Sequence, residues 1–481
     1  MDVSHESGFI GTLAGYIGTS DTALRLLLSL LSGYPLGLFH RFFLYAKAPW
    51  KQHLYFIVIG LGLCYNNFGW TAIHSVVNIL MIYAVLLVCP GTAASVVIAF
   101  VINVTYLVVG YYANMASMTP NYVVSWTTPH CVLALRLIGL VFDIYDGHRD
   151  RDKLSADEKL TALNYTPSLL AIAGHTYFFG GFLVGPQFPM KRYSDFVEGK
   201  FSDKVTGGLP HSITPALFRL AGGLMYTFLF QVGYLYFPDE YLLSEKFGQL
   251  SYFYRFMFVT IWGKMTLYKY LAAWLITEGI CTLTGLTYNG KDENGNDLWD
   301  SCANIKIRKF ERANTLTKCI DSFNINTNKW MFKYVFKRLK FLNNKRISHF
   351  STMFFLALWH GLYSGYFVCF FLEFIIISVE KEVFPVIEKN SLVIALYKQK
   401  ILHPFLWLIT KFYATASLSY ALVAFSLYTY ERWGYVYWQL YFIIHIIFIS
   451  MLFLGPLLKP SRRSQSSKVN GAPETSSPKT D

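Results

Sequence analysis

Long apolar runs recur along most of this chain, and they constrain it more than any other feature. A helix needs about 20 mostly apolar residues to cross a bilayer. Such runs lie at 22–40, 53–70, 71–89, 92–112, 129–145, 166–185, 213–236, 253–285 (one long helix or two short ones), 350–379, 401–429 and 435–458. They predict roughly eleven spans. The runs are continuous rather than alternating, so they read as helices and not as barrel strands. The expected fold is all-α, a polytopic transmembrane helical bundle. Charged residues make up 15% of the chain, against about 25% in soluble domains. This composition excludes a disordered chain, a collagen, a secreted disulfide scaffold and an ordinary cytosolic enzyme. No internal repeat is visible, which weakens a transporter built from inverted repeats.

Charge predicts the orientation. Residues 331–346 hold six basic residues and no acid, which places them on the cytosolic face. The loop with Arg41, Lys47 and Lys51 is basic too, and so is the segment after 458. The first basic residue is Arg25, preceded by Asp2 and Glu6, so the N-terminus is expected to be lumenal and the C-terminus cytosolic. Opposite ends require an odd number of crossings. Residues 1–20 lack the basic flank and long apolar core of a signal peptide. Residues 459–481 are polar and rich in Ser and Pro, and they are expected to form a disordered cytosolic tail. The intervening 21–458 reads as one membrane domain.

The seven cysteines show no zinc or CxxC spacing and read as small buried apolar residues. No metal site is expected. Ionisable residues inside apolar runs are costly, so each is a candidate for function. Arg136 and Asp143, two turns apart on one helix, read as a structural ion pair or as helix-to-helix pairing. Lys264 and Glu278 read as packing or headgroup anchors. His445 reads as a hydrogen-bonded core imidazole. Lys269 and Glu373 carry no further signal.

His360 is different. It lies in FFLALWHGLYSGY, between Trp359 and the glycines Gly361 and Gly365. The run 350–379 is about 45 Å long as a straight helix, so it must tilt or break near those glycines. An imidazole there can be a base or a packing residue. Upstream, SFNINTNKW carries Asn324, Asn326 and Asn328. Asparagines beside an apolar region either bond something specific or cap a turn before the basic stretch 331–342.

An asparagine-rich segment followed 36 residues later by a WHG histidine resembles the membrane-bound O-acyltransferase (MBOAT) family. The resemblance runs from GYPLGLFHRF (33–42) to the last span. It is carried by SWTTPHCVLALRLIGLVFDIYDG (125–147), GGFLVGPQF (180–188), WLITEGICTLTGLTYNG (274–290), SFNINTNKW (322–330), FKRLKFLNNK (336–345) and FLALWHGLYSGY (355–366). The sequence is similar to the branch that acylates lysophospholipids. It departs from that branch in lacking a dilysine-type ending, which leaves its retrieval route open.

The resemblance implies an MBOAT fold with a central intramembrane reaction chamber in the endoplasmic reticulum membrane. It implies acyl transfer from acyl-CoA, a co-substrate rather than a bound cofactor, to the free sn-2 hydroxyl of lysophosphatidylcholine, and also of lysophosphatidylethanolamine and lysophosphatidylserine, in phospholipid remodelling. Polyunsaturated donors are the preferred ones in that branch. His360 and Asn324 correspond to the catalytic pair. Asn326 and Asn328 fall in the same motif with supporting roles. His360, with an ordinary pKa near 6.5, suits the role of general base for the hydroxyl. Asn324 suits orientation or oxyanion stabilisation. Transfer is expected to be direct, without an acyl-enzyme, so Ser364 and the cysteines are not expected to act as nucleophiles. Lys333, Lys337, Arg338 and Lys340 are candidates for the CoA phosphates or for topology and anionic lipid contact. Asn328, Trp330 and Trp359 complete the expected binding residues. The partners implied are both substrates and the bilayer, not nucleic acid; a homodimer stays open. Another branch of the family, acylating sterol, diacylglycerol or protein, is the main alternative, followed by a transporter. No histidine is followed by Asp five residues on, which excludes the HxxxxD acyltransferase mechanism.

Overall fold

The computed structural model describes residues 8–117, 124–203 and 207–458. Of the expected N-terminal segment, residues 1–7 lie outside the described residues, as does the whole of the expected tail 459–481. Among the described residues there is no strand, only two isolated antiparallel bridges, Lys291 with Asp297 and Ile305 with Phe323.

The membrane part begins with α1 (Asp21–Phe39), capped by Ser20, whose hydroxyl accepts the Ala23 N–H. Then come α2 (Pro49–Phe68), α3 (Ile73–Val88), α4 (Ala93–Ser117) and α5 (Thr127–Gly147). A short helix α6 (Leu169–Thr176) precedes α7 (Ile213–Tyr236) and the 33-residue α8 (Tyr252–Thr284). Next are α9 (Ile325–Met331), α10 (Lys345–His360), α11 (Ser364–Ile387), α12 (Ser391–Lys398), α13 (His403–Leu427), α14 (Tyr430–Gln439) and α15 (Ile443–Leu458).

Six helical stretches among the described residues are long and apolar enough to cross a membrane: Asp21–Leu44, Pro49–Val88, Ala93–Ala116, Thr127–Gly147, Ile213–Leu242 and Lys400–Leu427. The pair α14 and α15, bent by 82°, makes a seventh. The expected spans depart from this in identifiable places. The runs 53–70 and 71–89 form one continuous 40-residue helical stretch with a 3₁₀ turn at Gly69–Ala72. The run 253–285 is one long helix that carries Arg255, Lys264, Lys269 and Glu278.

The run 166–185 is not a span. Only α6 is helical, and residues 177–189 continue without helix, with Tyr177, Phe178, Phe179, Phe182 and Leu183 all buried. Its apolar character comes from burial in protein, where non-helical backbone at membrane depth is tolerated. Arg136 on α5 makes that possible. Its guanidinium donates to the carbonyls of His175, Thr176, Gly181 and Pro186. The expected pairing of Arg136 with Asp143 therefore does not form. Asp143 pairs with Lys333 instead, at 3.0 Å.

The run 350–379 breaks, and it folds back on itself. α10 and α11 are antiparallel: ring contacts join Phe354 to Phe367 and Phe350 to Phe374, and Arg346 pairs with Glu382. Residues Gly361–Tyr363 form the tip of this helical hairpin. Asn344 starts it by accepting the Arg346 and Ile347 N–H groups.

Candidate active site

His360 is the last residue of α10. Gly361, at φ 147°, ends the helix in a conformation that disfavours a side chain, and a Cβ there would meet the Tyr366 ring at 2.8 Å. The tip is held from both sides. Trp359 donates from Nε1 to the Cys131 carbonyl at 2.7 Å, and its own carbonyl accepts the Tyr111 hydroxyl. On the other leg, the Gly365 N–H bonds the Tyr428 carbonyl at 2.9 Å, and a Cβ on Gly365 would lie 2.0 Å from the Ala424 carbonyl oxygen. Only glycine allows α11 to approach α13 this closely.

The His360 imidazole sits among rings: Phe370 stacked at 5.2 Å, Phe425 edge-on at 5.0 Å, Trp359 at 4.5 Å and Tyr366 at 5.7 Å. No group among the described residues hydrogen-bonds its nitrogens. His349 on the same helix is likewise half-buried and its ring is without a hydrogen bond among the described residues, packing on Phe374, but other enclosed histidines are bonded. His445 bonds the Tyr420 hydroxyl at 2.8 Å, as expected for a core imidazole. His40, His53, His130 and His175 are likewise bonded.

Asn324 occupies the position before α9 with left-handed backbone, φ 50° and ψ 43°, a region that Asn tolerates better than most residues. The Ile305–Phe323 bridge fixes the strand-like pairing on which it sits. The Asn324 side-chain oxygen accepts from Asn304 Nδ2 at 3.3 Å. Asn326 is buried, and its amide donates to the carbonyls of Cys302 and Ala303. Asn328 donates to the carbonyls of Ile320 and Phe323 at 3.1 and 2.9 Å. Both amides are engaged with backbone. A path of rings leads from Asn324 to His360: Phe323 meets Tyr270 at 6.4 Å, Tyr270 meets Phe425 at 6.3 Å, and Phe425 meets His360.

The expected binding residues are mostly occupied. Trp330 donates to the Leu135 carbonyl and stacks on Phe355. After α9 the chain widens into a π turn, Phe332–Phe336, and narrows to 3₁₀ at Lys337–Leu342. That backbone turns its cations toward the end of α5 and the short helix Ala156–Thr161. Lys333 bonds Asp143, Thr161 and Tyr334. Arg338 spans Asp146 and Glu158. Lys337 meets Asp157 at 2.6 Å, and the Lys337 hydrogen bond and charge hold the Asp157 carboxyl below its ordinary range. Lys340 alone of the four is exposed and, among the described residues, without an ion pair. Lys264 pairs with Glu311 at 2.8 Å. Glu278 accepts the backbone N–H groups of Asn304 and Ile305, so neither Lys264 nor Glu278 is a free headgroup anchor. Asn304 and Glu278 support the asparagine segment from 20 and 46 residues upstream; the charge of Glu278 in an apolar run marks it in the sequence, whereas no local pattern marks Asn304.

The chain matches the family model for the membrane-bound O-acyltransferase family over residues 111–423, a stretch that takes in α5, the asparagine segment and the hairpin. It belongs to that family and is an O-acyltransferase of membranes. It is 42% identical to human lysophospholipid acyltransferase 5 over 468 residues, covering 96% of this chain and 95% of that protein. It is 40% identical to lysophospholipid acyltransferase 5 of Drosophila melanogaster, covering 91% and 87%. To that of Caenorhabditis elegans it is 37% identical, covering 92% and 93%.

Proposed function

We propose that this O-acyltransferase moves a fatty acyl group from acyl-CoA to the free hydroxyl of a lysophospholipid, with lysophosphatidylcholine, lysophosphatidylethanolamine and lysophosphatidylserine as acceptors. The acceptor class rests on the full-length relatives, which carry that activity in their names. The residue assignment rests on one observation: His360 is an imidazole at a fixed hairpin tip whose nitrogens meet no partner among the described residues.

In this reading an imidazole nitrogen of His360 takes the acceptor proton as the hydroxyl oxygen attacks the thioester carbon. The Asn324 amide donates to the oxygen on which charge develops. The carbon–sulfur bond breaks, the CoA thiolate leaves, and the proton on His360 passes to it. No enzyme nucleophile is needed. Lys340, exposed, and Lys337, whose Asp157 partner is exposed, suit the CoA phosphates. Lys333 and Arg338 are neutralised within the protein and serve to hold the segment. We place the enzyme in the endoplasmic reticulum membrane with the basic segment cytosolic.

The test uses membranes containing the full chain, labelled acyl-CoA, and a panel of lysophospholipids, sterol and diacylglycerol. Acylation of lysophospholipids alone, lost by about 10²–10⁴-fold in His360→Ala, is the expected result. Acylation of sterol or diacylglycerol instead, or a variant that keeps more than about a tenth of the turnover, overturns the reading.

A further inference from the structure

Asn304 touches three consecutive residues of the asparagine segment. Its backbone carbonyl accepts the Ile325 N–H at 3.0 Å, its side-chain Oδ1 accepts the Asn326 N–H at 2.9 Å, and its Nδ2 donates to Asn324 Oδ1 at 3.3 Å. It is 2% exposed. Its own N–H and that of Ile305 are held by the Glu278 carboxylate on α8, which in turn lies 3.6 Å from the Arg219 guanidinium on α7.

These contacts have a fixed polarity. A backbone N–H can only donate, so the Asn304 atom facing Asn326 must be the oxygen. The nitrogen of Asn304 then faces Asn324. An NH₂ group needs an acceptor, so Asn324 must turn its oxygen inward. Its own NH₂ is left pointing away from Asn304, and it meets no acceptor among the described residues.

We infer that Asn304 is a positioning residue: it sets the Asn324 amide so that the NH₂ end, not the carbonyl end, faces the reacting oxygen. This rests on the proposed role of Asn324. The same role cannot be filled by Asn326 or Asn328, whose amides are spent on backbone carbonyls.

The test compares turnover and KM for acyl-CoA in detergent-solubilised full-length protein. Asn304→Asp keeps the acceptor for Asn326 and replaces the donor by a second acceptor, which turns the Asn324 amide around. The expected result is a fall in kcat of about 10²-fold, the size of a lost oxyanion donor, with KM for acyl-CoA unchanged and the melting temperature held. A merely structural role would lower the amount of folded enzyme and leave kcat per folded molecule in place. Asn324→Asp keeps the contact with Asn304 and replaces only the outward NH₂. It decides the matter if Asn304→Asp does not fold, and wild-type kcat in Asn324→Asp overturns the inference. Asn324→Ala separates the two levels. If it is inactive while Asn304→Asp turns over normally, the positioning role is wrong and the function stands. If it is active, the assignment of Asn324 is wrong and the inference goes with it.

Discussion

Arg136 carries a full charge into the middle of α5 and meets no carboxylate among the described residues. Four backbone carbonyls of the 175–186 segment take its place, and the Phe188 ring lies 4.4 Å from its guanidinium carbon. Lysine has one donor atom and cannot reproduce that fork. Arg136→Lys is expected to lower stability by roughly 2 kcal/mol or more, because carbonyls lose their donors in a buried site; a thermal melt in detergent checks it. Asp143 and Lys333 are both buried, with 1% and 10% of their side chains exposed. Lys333→Met should cost about 3–5 kcal/mol by leaving an uncompensated buried carboxylate. Asp143→Asn added to it should recover part of the loss. A double variant no more stable than Lys333→Met alone would mean that the pair is not what holds the segment. The sequence flags Arg136 and Asp143, since charge in an apolar run is costly, and Lys333 only as part of a basic segment. It does not give their partners: Arg136 and Asp143 look matched at two-turn spacing, but each partner comes from a segment distant in sequence.

Among the elements, the α10–α11 hairpin departs most from the linear reading. Hydropathy registers 350–379 as apolar and helical, and the glycines mark the break, but apolarity carries no direction, so the reversal is not legible. The same blindness explains 166–185, where buried protein and lipid demand similar residues. The reversal also removes a tempting pairing. Ser364 is one turn beyond His360 on an unbroken helix, but it opens α11, and its hydroxyl accepts from Trp433 Nε1 at 3.0 Å. Ser364→Ala is expected to keep most of the acyl transfer measured under saturating substrates. Gly365→Val is expected to do the reverse, since its new side chain would strike the Ala424 backbone oxygen. Lost turnover together with a lower melting temperature is the expected pair of readings. Normal turnover in Gly365→Val would show that the hairpin tip does not depend on α13.

Across the whole molecule, the all-helical membrane fold class and the family motif that proposes His360 and Asn324 are readable from sequence; the number of crossings is not. The antiparallel packing of α10 and α11 brings the two ends of the hairpin, near Asn344 and Lys389, toward each other. Glycosylation or protease tags inserted at those two points should report the same side, and opposite sides would contradict the antiparallel packing. The hairpin also bears on how the enzyme is made. α10 has 16 residues, about 24 Å, less than the roughly 30 Å of the hydrocarbon core, and it begins with Lys345 and Arg346. Alone, it has no stable place in the bilayer as it leaves the ribosome. α11 gives it a companion, and Ala424 and Tyr428 give the tip its seat. The tip that carries His360 therefore lacks its seat until Tyr428, 68 residues further on, has been made, and a fragment ending ahead of Tyr428 is expected to leave that tip unseated.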